Sequence, residues 1–181
     1  MLNYIKSELY RAGHSKEIHG AAMGLLGMIF FMNLILGLMK RLDHFRYGTT
    51  SFSYSMVVSM PMLYCYVAFY VAIMLYEGDR RNGTLGNSVS YGLSRLEIFI
   101  GKCMVAFAAS LALLSLALPV YIGSAVLLLD NAGPTTVREF LTEIPAVSLV
   151  ALAALFFGIL LLEICDKLLH WILLWLAVMV F

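Results

Sequence analysis

The chain has 181 residues, of which 62% are hydrophobic and only 13% charged, with a formal net charge of +1 and a mean hydropathy of +0.90. Soluble domains carry about 25% charged residues, so this chain lacks the polar surface a water-facing fold needs and reads as a membrane protein. It has no basic domain that would indicate nucleic acid, and Cys65, Cys103 and Cys165 stand too far apart to support a disulfide framework or a zinc knuckle.

At the N-terminus, Leu2, Ile5, Leu9 and Ala12 recur at three- and four-residue spacing. That pattern predicts an amphipathic helix over residues 1–17, lying on the membrane surface with Tyr4 and Tyr10 at headgroup level. The charges Lys6, Glu8, Arg11, Lys16 and Glu17 are spread through this segment, unlike those of a signal peptide.

The first span is predicted over Gly20–Met39, uncharged and of the roughly 20-residue length a crossing needs. Gly20 and Gly24 stand at the spacing that permits close helix contact. A short polar loop with Lys40, Arg41, Asp43, His44 and Arg46 leads to a second span over Phe52–Tyr76, which Pro61 is expected to kink. Tyr64, Tyr66, Phe69 and Tyr70 give this span an aromatic wall. It suits a translocation path for an amphipathic substrate, and equally lipid contact or helix packing.

The third span runs from about Ile98–Gly101 to Leu129, longer than a perpendicular crossing requires, with Pro119 expected to bend it. After it, Thr136 and Glu139 fit a capping box, which predicts a short surface helix through Thr142. Pro145 would then open a fourth span over Ala146–Ile164. A tight turn at residues 165–167 leads to a fifth apolar run, with Trp171 and Trp175 expected near the interface. Only 14 residues separate Leu168 from the end at Phe181, both included, so the expectation is a fragment of a six-helix domain. The predicted fold is therefore all-α: a polytopic membrane helix bundle forming one domain, with an N-terminal interfacial helix, four full transmembrane helices and a truncated fifth.

Alternating the loops puts residues 1–19, 77–102 and 165–167 on one side with eight basic residues, against four in 40–51 and 130–145. The excess predicts a multi-pass cell-membrane protein with a cytoplasmic N-terminus.

That assignment makes residues 77–102 a cytoplasmic connector, far longer than joining two helices demands. Ordering it costs conformational entropy, and that cost implies a use. Glu77, Asp79, Arg80 and Arg81 cluster at one end, and Arg95, Glu97 and Lys102 at the other. Between them, "NGTLGNSVSYGLS" is uncharged and rich in small residues, and Leu85, Val89 and Leu93 form a short apolar stripe. This is the outline of a docking helix.

The connector resembles the cytoplasmic loop between the second and third membrane helices of ABC-2 type transporter permeases. The matching positions are Glu77; Arg80, Arg81, Gly83, Thr84 and Leu85; Ser90, Gly92, Ser94 and Arg95; then Gly101 and Lys102. The start, "YIKSELYR" with Lys6, Glu8 and Tyr10, is similar to that family's elbow helix. Two departures stand out: the chain stops in its fifth span, and Ser94 stands where many relatives have proline.

The resemblance implies a permease that dimerises with a second copy or a homologue. It implies that Arg80, Arg81, Thr84, Leu85, Val89, Leu93 and Arg95 couple it to a separate cytoplasmic ABC ATPase, with Glu77 and Lys102 bracing the loop. ATP and magnesium would then belong to the partner, and this chain would bind no cofactor and carry no catalytic residue. The sequence agrees in having no G-x-x-x-x-G-K-[ST] loop. Glu163, Asp166 and His170, with Cys165 adjacent, sit at helical spacings but at a span boundary, where polar residues are expected without a metal. The alternative class is a non-transport membrane protein, either an intramembrane enzyme or an assembly factor. Such an enzyme should place ionisable residues inside its spans, and the first three spans, beyond Lys102 at the loop end of the third, have no Asp, Glu, Lys or Arg. The substrate stays open.

Overall fold

The computed structural model describes residues 2–41, 45–81, 92, 94–164 and 168–180, the side chains of 76–81, 95, 168, 169 and 178–180 excepted. Seven helices are present among them: α1 (Leu2–His14), α2 (Lys16–Met39), α3 (Thr50–Ser59), α4 (Pro61–Arg81), α5 (Arg95–Leu128), α6 (Val137–Ile164) and α7 (Leu168–Val180). Helices α2, α5 and α6 are long and apolar enough to cross a membrane, and α3 with α4 would make a fourth span broken in the middle. The chain is thus an all-α bundle of the polytopic membrane type. Large apolar side chains such as Met28 (71% exposed) and Leu127 (83% exposed) cover its outside, as a lipid-facing surface requires.

Local chemistry explains most helix starts. Ser15 separates α1 from α2, its hydroxyl accepting from the Ile18 N–H at 3.4 Å. Thr49 caps α3 by accepting from the Phe52 N–H at 3.3 Å. The expected Thr136–Glu139 box forms, with the Thr136 N–H donating to Glu139 Oε2 at 2.7 Å and the Glu139 N–H to Thr136 Oγ1 at 3.3 Å.

Several boundaries differ from expectation. The second span is not one kinked helix but two, bent by 66°. Pro61 has no N–H to return to the preceding turn, and Met60 leaves helical geometry at φ −112°, ψ 69°. Helix α4 then continues through Tyr76 to Arg81, taking in residues expected to belong to the connector. In α6 the opposite happens: the expected surface helix and the fourth span are one helix of 28 residues, with Pro145 inside it. The Thr136 cap has already nucleated two turns, and exposed Pro145 costs a single backbone bond that water or a headgroup can replace.

The interior divides into two clusters. One lies between α4, α5, α6 and α7 and centres on Ala72, Ala106, Leu155, Trp171 and Trp175. The other lies between α2, α3, α5 and α6 and centres on Tyr54, Tyr121, Ala125 and Phe140. Trp171 and Trp175, expected at the interface, are fully buried. The Trp171 indole N–H donates to the Gly158 carbonyl at 2.9 Å, and Gly158 leaves room for the Trp175 ring, which a Cβ there would meet at 3.4 Å. Gly20 and Gly24 do not mediate helix contact, since nothing lies within 4 Å of a Cβ at either. The close approach is at Gly37, where a Cβ would stand 3.0 Å from the Leu128 carbonyl oxygen.

Candidate functional site: the base of the connector

The connector leaves α4 at Arg81 and re-enters the bundle at Arg95, the first residue of α5. Ser94 caps that re-entry. Its hydroxyl accepts from the Glu97 N–H at 3.2 Å, while Glu97 Oε2 accepts from the Ser94 N–H at 2.9 Å. The departure from proline at Ser94 therefore has a local role, because proline has no N–H to complete this reciprocal box.

Two turns into α5 stands Lys102, only 3% exposed. A buried ammonium requires a partner. Its Nζ lies 3.4 Å from Glu8 Oε2, an oxygen that also accepts from Arg11 Nη2 at 2.7 Å. Helix α1 is thus fastened to α5 by a carboxylate shared between two cations. Beside it, Tyr4 fills the notch at Gly101, where a Cβ would come within 2.7 Å of the ring. Ile5 and Ala12 rest on the edge of the tryptophan cluster. Burial raises the Glu8 carboxyl above the usual carboxylate range, with the Arg11 charge pulling the other way. Burial, aided by the Glu8 charge, pushes the Tyr4 phenol up to about 12.

Lys102 lies at the base of the loop, as expected of a bracing residue, and one of its partners is Glu8 on α1, 94 residues away. Glu77 lies in the final turns of α4 together with Arg80 and Arg81, and Arg95 opens α5; their side chains lie outside the described residues, as do Thr84, Leu85, Val89 and Leu93 entirely. A signal for Glu8 was available in the sequence. It falls three residues after Ile5 and four before Ala12, on the apolar face of α1.

The four aromatics of the second span do not share one face. Phe69 stacks on Trp171 with ring centres 4.3 Å apart and planes at 10°. Tyr66 and Tyr70, one helical turn apart, point outward at 48% and 37% exposed. Tyr64 is half-buried, its hydroxyl enclosed and without a hydrogen-bond partner among the described residues. Glu163 and His170 are exposed, and Cys165 and Asp166 lie outside the described residues.

Sequence reasoning missed a second polar site, at the far end of the bundle. Asn33, fully buried in α2, donates through Nδ2 to the Tyr121 carbonyl at 3.1 Å and to Ser124 Oγ at 2.8 Å. Ser53 Oγ donates to Asn33 Oδ1 at 2.8 Å, and Tyr121 Oη donates to the Ser53 carbonyl at 2.7 Å. The ring of bonds ties α2, α3 and α5 together. Nearby, the Thr50 N–H donates to the Asp130 carbonyl at 2.9 Å, the Asp130 N–H to the Gly48 carbonyl at 3.0 Å, and Lys40 pairs with the Asp130 carboxylate at 2.5 Å. The only sequence signal was an amide in the middle of an apolar run.

The described polar groups at the connector base anchor α1 against α5 and cap the start of α5. No family model, curated protein or solved structure matches the chain.

Proposed function

We propose that the chain is the membrane-spanning permease subunit of an ATP-driven exporter of the ABC-2 type, coupled to a separate cytoplasmic ATPase through residues 77–102. The observation that carries this reading is the clamp at the connector base. Helix α1 is bound through Glu8 to Lys102, two turns above the point where the connector enters α5. A push on the connector would move α4, α5 and α1 together, which is the coupling a partner ATPase needs in order to drive rearrangement of the spans.

In this reading α1 lies along the cytoplasmic surface of the cell membrane, and a second permease copy or homologue completes the pathway. Arg81 and Arg95 pair with acidic groups of the ATPase, while Leu85, Val89 and Leu93 dock on it. ATP and magnesium stay with the partner.

The test is co-purification of the ATPase with the permease in mild detergent, combined with Arg81→Glu and Arg95→Glu together and with deletion of residues 80–95. The deletion should abolish co-purification, and the charge reversals should uncouple ATPase stimulation by the permease. Retention of the ATPase without the loop, or unchanged stimulation, would sink the proposal.

A further inference from the structure

The break between α3 and α4 leaves a groove at the far end of the bundle. It measures about 220 Å³ and is lined by Ser55, Val58, Ser59, Thr135, Phe140 and Glu143. Its polar lining is made of hydroxyls and one carboxylate, with no cationic side chain.

The reason for this character lies in the helix break. A helix leaves its last carbonyls without intrahelical donors, and Pro61 brings no N–H to α3. The Met60 N–H turns back to the Val57 carbonyl at 3.4 Å, and the Leu63 N–H goes to the Met60 carbonyl at 3.0 Å. Among the described residues the carbonyls of Val58 and Ser59 receive no backbone N–H across the break, and the residues that carry them line the groove. The negative end of the α3 dipole falls at the same place.

Across the groove, Glu143 makes no ion pair among the described residues. Arg138 lies five positions earlier on α6, roughly 140° around the helix from it. Glu139, one turn before Glu143, has its carboxylate engaged in the Thr136 cap, which also satisfies the start of α6. The groove wall is held in place: Ser55 Oγ and Thr135 Oγ1 are 3.0 Å apart, and the Thr135 N–H donates to Ser51 Oγ at 3.1 Å. Phe140, itself buried, stacks on Tyr54 behind the groove at 4.9 Å between ring centres. Glu143 stands three residues before the apolar run from Ala146, so the groove is level with the edge of the apolar band.

We propose that this groove binds the primary ammonium head of a membrane-borne amphiphile. A protonated amine brings the positive charge that Glu143 and the α3 terminus favour, and three N–H donors for the hydroxyls and free carbonyls. A quaternary ammonium brings the charge without the donors. The chain of the amphiphile extends into the adjacent bilayer. This holds whether or not the chain is an exporter subunit; the ammonium belongs either to an aminophospholipid or to another long-chain amine.

The test uses a diazirine-bearing long-chain primary amine with the full chain in phosphatidylcholine nanodiscs, and locates the label by peptide mass spectrometry. Label is expected on segments 55–59 and 135–143. Glu143→Gln should lower it roughly tenfold, the scale of one lost charge-assisted hydrogen bond. Glu17→Gln, an exposed acid at the start of α2, should leave it unchanged, and the trimethylammonium analogue should label far less. Competition by phosphatidylethanolamine would assign the site to a lipid headgroup, and resistance to it would assign a different amine. Equal labelling of the wild type and Glu143→Gln, an equal loss in Glu17→Gln, or equal labelling by the quaternary probe would overturn the proposal.

Discussion

At the connector end, α4, α5, α6 and α7 meet over indole rings and alanines, and at the far end α2, α3 and α5 meet over a closed ring of hydrogen bonds. The first contact is made of area: Trp171, Trp175 and Phe69 stack and tilt within 4.3 to 6.4 Å of one another. The second is made of direction, because Asn33, Ser53, Tyr121 and Ser124 each satisfy a partner at a set angle. Packing supplies the larger share of the energy and tolerates small shifts. Hydrogen bonds between membrane helices contribute less, on average about 0.6 kcal/mol each, but they fix register. The far end is therefore built as a fixed point. The connector end, where Glu8 straps on α1, is held by packing, and in the proposed function it moves as a unit.

This contrast can be broken in five ways. The largest effect should come from Trp171→Ala, which removes a fully buried indole and its bond to Gly158 and should cost about 3–5 kcal/mol in a thermal or denaturant melt in detergent. A loss no greater than that of Asn33→Leu would erase the distinction. Asn33→Leu removes one bond each from Ser53 Oγ, Ser124 Oγ and the Tyr121 carbonyl, which keep their bonds to one another and to Tyr121 Oη, and should cost about 1–3 kcal/mol. It should also loosen α3 against α5, visible as faster amide exchange over residues 50–59.

Gly101→Leu should act on α1 alone. The new side chain would occupy the place of the Tyr4 ring, at a strain of about 1–3 kcal/mol. Trypsin should then cut faster after Lys6 and Arg11 while the melt of the bundle hardly changes.

A smaller effect is expected from pH. Burial raises the folded Glu8 carboxyl above its ordinary value near 4.3, so docked α1 binds a proton more tightly than free α1. Docking is then strongest below the ordinary value and weakens as pH rises through the raised one. Amide exchange over residues 2–14, followed from about pH 4 to about pH 7, should show this slope in the wild type, and Glu8→Gln should flatten it. The opposite slope would mean that the attraction of the carboxylate to Arg11 and Lys102 outweighs the cost of burying it. The smallest change is expected for Lys40→Ala: its bond to Asp130 is solvent-exposed on both sides and should be worth under about 1 kcal/mol in the same melt.

Part of this architecture is legible in the sequence alone. The apolar runs place α2, α5 and most of α6 because a crossing is a property of composition over a window. The Thr136–Glu139 cap is legible because a capping box is written in four consecutive residues. The candidate site is legible only in part. Lys102 can be recognised at the loop base, but not its bond to Glu8, and the Asn33 ring shows in the sequence only as an amide within an apolar run. No local spacing states which distant residue a buried amide or ammonium will meet.

The two prolines show the same division. Pro61 ends a helix and turns the chain by 66°, whereas Pro145 sits inside an unbroken one. By sequence each is a mark in an apolar run. Around Pro61, α3 is held by Asp130 and the Asn33 ring, so the chain must turn to rejoin the bundle. Around Pro145, a helix already capped at Thr136 continues straight past an exposed gap in its hydrogen bonds. Composition and short-range spacing determined that this protein is a bundle of apolar helices with a polar connector. Tertiary structure decided where those helices break, which glycine lets two of them touch and which charges close the base of the connector, because those outcomes depend on groups 88 and 94 residues apart meeting in space.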